Sequence, residues 1–176
     1  MREPEQSETA RVHNAKKMLG NMLPELVGYF SRRLGNYDDA ADAASDTIVE
    51  LLKRPNRLPD DLTRFRQYVY GTARNVLSTC RKGRLQRLTL TEHLKQELRA
   101  QEAEIHIHED KSLAEAIAKL RAQDQELLLL VAWEGFGIAE AGAVLGLKPD
   151  TSRKRYSRIR QKLQTQLTPA AQHSAH

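Results

Sequence analysis

Residues 137–163 read GIAEAGAVLGLKPDTSRKRYSRIRQKL, a stretch that predicts two helices joined by a tight turn. The first helix is short and rich in alanine and glycine, which lets a second helix cross it closely. Gly146 is expected to end it with a positive φ, and Pro149 or Asp150 is expected to start the next helix. The side of that second helix predicted to face the supporting helices carries Ser152, Tyr156, Ile159 and Leu163.

The opposite side of the second helix is cationic, with five Lys or Arg residues within residues 150–160. A basic run alone is about as often a solvated helix face as a binding surface. The small-residue helix and the glycine turn before it favour a DNA-reading helix, with Arg153 and Lys154 at base edges and other cations at phosphates. The residues predicted to bind DNA here are Thr151, Arg153, Lys154, Arg155, Ser157 and Arg158.

The distribution of charge supports a polyanionic partner. The net charge is +5, and 14 of the 28 Lys and Arg residues lie in residues 64–87 and 147–164 together with only one of the 23 acidic residues. The rest of the chain is therefore acidic. Two separate basic segments in an acidic chain are typical of a nucleic-acid binder.

Composition also sets the broad class of protein. No apolar run approaches the ~20 residues of a membrane helix, and the first ten residues lack the pattern of a secretion signal. The single cysteine, Cys80, has no partner for an internal disulfide. We expect a cytoplasmic protein without membrane insertion.

Helical spacing of apolar residues continues through most of the chain, and no strand pattern occurs. A first helix is expected with Pro24 near its start and Gly35 past its end. Asn36 or Asp38 should cap a second helix, and Asp60 or Asp61 should precede a third. The apolar residues that define the first helix are Leu23, Leu26, Val27, Phe30 and Leu34.

These patterns predict an all-α fold of two small helical domains joined by a flexible linker. Residues 88–111 are acidic and weakly periodic, and we interpret them as a linker with partial helix. The predicted boundaries are 1–87 for the first domain, 88–111 for the linker, 112–168 for the helix-turn-helix domain and 169–176 for a disordered tail.

Three segments carry a resemblance to a known family: DAADAASDTIVELL (39–52), FRQYVYGTARNVLSTCRKGR (65–84) and residues 113–163. They resemble, in order, region 2.2, regions 2.3–2.4 and region 4 of sigma-70 family RNA polymerase sigma factors, in the extracytoplasmic-function (ECF) group. The resemblance implies a sigma factor that directs core RNA polymerase to promoters with −35 and −10 elements. It implies no enzymatic activity of its own, no cofactor, no metal and no small-molecule substrate.

The second predicted helix carries an acidic face. Asp39, Asp42 and Asp46 share this face, which suits a basic protein surface better than DNA, although a merely solvated face is the alternative. The resemblance implies that the partner is the β′ clamp of the polymerase, and that region 4 meets the β flap. Ser45 stands where the family more often has a longer amide, and Glu50 where it often has a cation. The predicted polymerase-binding residues are Asp39, Asp42, Ser45 and Asp46.

The third predicted helix interleaves aromatic and cationic residues, a combination suited to an unpaired DNA strand. The aromatic residues could instead be core, and for Phe65 we favour the core. The resemblance implies that Arg74 and Asn75 contact the −10 element, and that the loop before the helix holds a flipped base. The predicted −10 residues are Asn56, Arg57, Asp60, Asp61, Arg64, Arg66, Tyr70, Arg74 and Asn75.

The resemblance further implies an anti-sigma factor as a partner. The main alternative is a stand-alone helix-turn-helix regulator with an N-terminal dimerisation or sensor domain. An enzyme is not favoured, because the chain has neither a nucleophile triad nor a phosphate loop. His106 and His108 lie in the acidic linker without further ligands, so no metal site is predicted there.

Overall fold

The computed structural model describes residues 3–95 and 111–167, and the regular structure in these two ranges is helical, as the sequence predicts. The chain divides into two compact units, Met1–Ala100 and Gln101–His176. None of the helices in the described ranges has the length and apolar content to cross a membrane. The helices are α1 (Glu3–Leu34), α2 (Tyr37–Leu52), α3 (Leu62–Lys95), α4 (Lys111–Ala118), α5 (Ala122–Ala132), α6 (Ile138–Val144) and α7 (Pro149–Leu167), with a 3-10 turn at Pro55–Arg57.

The first unit packs α1, α2 and α3 around an aromatic cluster. The ring of Tyr29 meets those of Phe30 and Tyr70 edge-on, at centroid distances of 5.1 and 5.3 Å. Helix α2 presents mainly alanines to this core, and their small side chains allow it to approach α1 closely. Of the two predicted caps of α2, the structure uses Asn36, whose side chain accepts a hydrogen bond from the backbone N–H of Asp39 at 3.0 Å.

The prediction that Pro24 lies near a helix start is wrong, because Pro24 lies inside α1. A proline in a helix interior removes one backbone hydrogen bond and costs about 3 kcal/mol. Buried residues on both sides of it, Leu19 and Leu26, pack into the same core. This shared burial keeps the helix continuous across the proline. Leu23, one of the apolar residues that define this helix in the sequence, is 37% exposed.

Helix α3 begins directly after a side-chain cap. The carboxylate of Asp61 accepts a hydrogen bond from the backbone N–H of Arg64 at 2.8 Å. The helix continues to Lys95 and so extends beyond residue 87, where the sequence predicts the first domain to end. Residues 96–110 and 168–176, which include the rest of the predicted linker and the tail, lie outside the described residues.

The second unit contains the predicted helix-turn-helix, formed by α6 and α7. Gly146 has φ of +71°, the left-handed conformation expected at the end of the first helix. The two helices cross at Gly142 and the fully buried Ser152, where a Cβ on Gly142 would lie 1.8 Å from the Ser152 hydroxyl oxygen. The helices can therefore cross this closely only because residue 142 is a glycine.

Helix α5 supports this motif from within the second unit. Its residues Leu127 and Leu130 are fully buried. The side-chain amide of Gln125 donates to the carbonyls of Ala118, at 3.2 Å, and Leu120, at 3.0 Å. Ala118 is the last residue of α4, where carbonyls lack helical partners, and Leu120 lies in the turn that follows, so the first turn of α5 is attached to the end of α4.

Candidate nucleic-acid interface

The outward face of α7 carries the predicted −35 residues. Ser152 and Ile159 are buried, as expected, and Tyr156 and Leu163 are half-buried. Arg153 lies 2.8 Å from the carboxylate of Asp150, one turn earlier, in an ion pair that leaves both side chains largely exposed. The exposed predicted residues are Thr151, Arg153, Lys154, Ser157 and Arg158.

Arg155 differs from these residues, because it turns towards the interior of its unit. Its guanidinium donates a hydrogen bond to the side-chain oxygen of Gln123 and lies 3.7 Å from the carboxylate of Asp124. Both partners belong to the first turn of α5. Arg155 therefore contacts another helix, whereas Arg153 and Arg158 bond to residues of α7 itself.

The acidic face of α2 is exposed, as the sequence predicts. Asp39, Asp42 and Asp46 are exposed, and so is Ser45, whose hydroxyl donates to the carbonyl of Ala41 at 2.9 Å. These carboxylates recur at helical spacing and form one stripe. The stripe has the charge and the exposure that a basic protein surface requires.

Glu50 ends this stripe and is paired within its own helix end. Its carboxylate accepts a hydrogen bond from the ammonium of Lys53 at 2.7 Å. This hydrogen bond and the charge of Lys53 hold the pKa of Glu50 below its ordinary value. The exposed carboxylates of the stripe that lie away from this ion pair are therefore in the first three turns of α2.

The predicted −10 residues separate into two groups. Arg64 and Asn75 are exposed on one side of α3, and Arg74 is half-buried. Asp61 is exposed, although its carboxylate already caps the helix. The predicted loop residues that are exposed are Asn56, Arg57, Asp60 and Asp61.

The other group faces α1, and here the prediction needs a correction. Tyr70 is 1% exposed and belongs to the aromatic core, so its ring is not available to stack on a base. Its hydroxyl lies 3.5 Å from the carboxylate of Glu25 in α1. Arg66 is half-buried, with its guanidinium 3.6 Å from Glu25 and above the ring of Tyr70 at 5.4 Å. This side of α3 holds the fold together.

Tyr68 is absent from the predicted −10 residues because the aromatic residues of the third helix could equally be core. It is 39% exposed, whereas Phe65 and Val69 on either side are buried. Tyr68 lies with Asn75 and the exposed Val49 in a groove of about 550 Å³ between α2 and α3. The spacing of residues 64, 68 and 75 places them on one helix face, so the sequence already groups Tyr68 with two of the predicted −10 residues.

A smaller cleft of about 150 Å³ lies beside the loop that precedes α3. Leu58 is buried and anchors the loop, while Asp60 lines the cleft from the same loop. Asn14 and Met18 of α1 line it from the other side, and Phe65 also contributes to its wall. The cleft therefore joins the loop, α1 and the start of α3.

No cluster of His, Cys, Asp and Glu suited to a metal ion occurs among the residues that the structure describes. His106 and His108, where the sequence predicts no metal site, lie outside those residues. Cys80 is half-buried in the wall of the α2–α3 groove.

Two family models match the chain in consecutive order. The model for Sigma-70 region 2 matches residues 18–85, and the model for Sigma-70, region 4 matches residues 110–163. Together they cover more than half of the 176 residues. No curated protein sequence matches the chain.

Solved structures with a similar fold include sigma factors. The chain is similar to the sigma factor RpoE of Bartonella quintana, solved in complex with the anti-sigma factor NepR, with a TM-score of 0.61 and 21% identity over 88% of this chain and 97% of that chain. CnrH, in complex with the cytosolic domain of CnrY, matches with 23% identity over 86% and 96% of the two chains, at a TM-score of 0.48. The likeness to RpoE concerns the fold.

A cationic helix-turn-helix is typical of a DNA-binding protein, and the matches to regions 2 and 4 make this chain a component of the transcription machinery. The chain belongs to the sigma-70 family of RNA polymerase sigma factors, in the ECF group. It binds core RNA polymerase and directs promoter-specific transcription initiation at −35 and −10 elements, which confirms the prediction of family and function. The alternative of a stand-alone regulator is not favoured, because the N-terminal half matches region 2.

Proposed function

We propose that this sigma factor reads the −35 element with the outward face of α7. The observation that carries the proposal is the exposure of Arg153, Lys154 and Arg158 on a helix whose opposite side is buried at the α6 crossing. A helix held in this way enters the major groove with its N-terminal residues at base edges. Thr151 and Ser157 are exposed beside the cations and add hydrogen-bonding hydroxyls to the same face.

The acidic stripe of α2 is proposed to bind the β′ clamp of core RNA polymerase. Asp39, Asp42 and Asp46 are exposed and lie on the first three turns of the helix. Because the promoter is a polyanion, these carboxylates would repel it, and a basic protein surface is the complementary partner. In the second unit, the exposed Trp133 offers an apolar contact for the β flap.

The −10 element is proposed to meet α3 and the loop before it. Arg64, Tyr68 and Asn75 share an exposed face on which one aromatic ring can stack on an unpaired base while a cation and an amide hold the strand. The cleft between the loop and α1, lined by Asp60 and Met18, is the proposed receptor for a flipped base. Arg74 is proposed to contact the DNA backbone from the edge of this face.

An anti-sigma factor is the proposed regulatory partner. RpoE of Bartonella quintana was solved with such a protein, and this chain shares its fold. Several large apolar side chains are exposed in the described residues, among them Tyr37, Val49 and Trp133, and a partner that covers them would also block the polymerase. We propose a cytoplasmic, nucleoid-associated location, where the polymerase and the promoter are found. The polymerase supplies the catalytic residues, and none is proposed in this chain.

The decisive test is transcription with purified components. Core polymerase with the protein, incubated with a random DNA library, is expected to select sequences with two conserved blocks separated by a constant spacer. Run-off transcription should then start downstream of the selected fragment and depend on the protein. Absence of start-site selection by the folded protein would refute the proposal.

A further inference from the structure

Arg155 of α7 contacts the supporting helix α5. Its side chain is 29% exposed, and that of its partner Asp124 is 14% exposed. The guanidinium lies 3.7 Å from the Asp124 carboxylate and also donates to the side-chain oxygen of Gln123. Both contacts are made by the same guanidinium nitrogen, Nη1, which attaches the end of the Arg155 side chain to the first turn of α5.

The point to which Arg155 is attached is itself held in place. Gln125, in the same turn of α5 as Asp124, donates to the carbonyl of Ala118, the last residue of α4, and to that of Leu120 in the turn that follows. Asp124 also lies in the first turn of α5, where the helix dipole favours a negative charge. Arg155 therefore connects α7 to a turn that α4 already restrains.

A second contact, between α7 and α6, also positions α7. At the crossing with α6, Ser152 packs against Gly142 and locates one point of the helix. The buried Ile159 holds α7 again two turns after Ser152, through apolar packing that has no preferred direction. Arg155 lies between these two residues in sequence, and its hydrogen bond to Gln123 of α5 adds a directional contact. Arg153 and Lys154 lie between Ser152 and Arg155 in sequence, so their direction depends on both.

We infer that Arg155 is a positioning residue that orients the −35-reading face of α7, and that it does not contact a phosphate. The inference rests on the proposed reading of the −35 element by α7. A phosphate bound by Arg155 would lie close to the carboxylate of Asp124, and the two negative charges would repel each other. Arg158 is exposed and donates a hydrogen bond within its own helix, to the carbonyl of Lys154 at 3.4 Å, which makes it the matched cation for comparison.

The experiment compares four holoenzymes: wild type, Arg155→Ala, Asp124→Asn and Arg158→Ala. The probes are the fragment that the wild-type holoenzyme selects from a random library and the same fragment with its −35 block scrambled. Affinity is measured on both probes over a range of KCl concentrations. Urea unfolding of each free variant at the assay temperature, followed by Trp133 fluorescence, tests whether its second unit is folded, since Trp133 is the only tryptophan of this chain and lies in that unit.

For Arg155→Ala we expect the preference for the selected over the scrambled probe to fall on the order of 10-fold, with an unchanged salt dependence. Asp124→Asn should reduce the preference in the same way. Arg158→Ala should weaken binding to both probes alike and make the slope of log K against log salt shallower by about 0.9, the value for one lost phosphate contact.

Three outcomes would overturn the inference. A shallower salt slope for Arg155→Ala would make this residue a phosphate contact. Tighter binding by Asp124→Asn to both probes would mean that the carboxylate competes with DNA for Arg155. An equal loss on both probes at an unchanged slope would mean that Arg155 only stabilises the domain. If the wild-type holoenzyme selects no −35 block, the proposed function itself fails before any variant is compared.

Discussion

Replacing Gly142 with alanine should damage the −35-reading unit although alanine is the better helix former. The added Cβ would lie 1.8 Å from the hydroxyl oxygen of Ser152 and 2.7 Å from its Cβ. The hydroxyl can rotate away, but the Cβ is fixed to the backbone of α7. Since ordinary contact begins near 3.4 Å, α6 and α7 must separate by about 0.7 Å along this line.

The energetic terms have opposite signs, and the clash is the larger. Overpacking of this kind costs about 1–3 kcal/mol. The buried hydroxyl of Ser152 also loses its 3.0 Å bond to the carbonyl of Lys148 if it rotates, which costs about 1 kcal/mol. The gain in helix propensity from glycine to alanine offsets about 1 kcal/mol. The expected net loss in the free energy of unfolding is about 1–3 kcal/mol, or at least about 4 °C in Tm for a domain of this size.

Urea unfolding followed by Trp133 fluorescence measures this loss in the second unit alone. The control is Gly20→Ala in α1, where no atom lies within 4 Å of the added Cβ. That variant should raise the free energy of unfolding of the first unit by about 0.5–1 kcal/mol, which urea unfolding followed by circular dichroism measures. If Gly142→Ala is as stable as wild type, α6 and α7 do not cross as closely as the structure indicates, and the reasoning is refuted.

Three further predictions concern the interfaces. Charge reversal of Asp42 and Asp46 to Lys should weaken core polymerase binding on the order of 10-fold or more at unchanged stability, and unchanged affinity in a pulldown titration would remove the stripe from the interface. Arg153→Ala should lower discrimination among −35 sequences by about 1–3 kcal/mol, whereas an equal loss on all sequences would indicate a phosphate contact. Tyr68→Ala should slow promoter opening, monitored by permanganate footprinting, while the protein stays folded. Tyr70→Ala should instead destabilise the first unit by about 3–5 kcal/mol. If Tyr68→Ala is destabilised as well, Tyr68 is a core residue.

Helical periodicity predicts the buried side of α7 and the exposed acidic face of α2. Ser152 and Ile159 are buried and Lys154 is exposed because a helix with 3.6 residues per turn separates them onto opposite sides. The same rule exposes the acidic stripe of α2. The turn at Gly146 was predictable because a positive φ there favours glycine. These features depend only on residues close together in the sequence.

Periodicity could not predict which cations the fold would engage. Arg66 binds Glu25, and Arg155 binds Gln123 and Asp124, and each pair joins residues of different helices. The sequence spacing within α3 or α7 carries no information about these partners. For the same reason, Tyr70 was assigned to DNA although Tyr29 covers its ring in the core.

The two engaged arginines have a common physical explanation. A helix with cations on several sides can turn only one face towards DNA, so a cation on a flank lies near the supporting helices. There, partial burial makes an unpaired charge costly, and a carboxylate on the facing helix becomes the favourable neighbour. Glu25 opposite Arg66 and Asp124 opposite Arg155 satisfy this requirement. Acidic residues on supporting helices thus indicate which cations of a basic helix serve the fold, and the remaining exposed cations are those available to DNA.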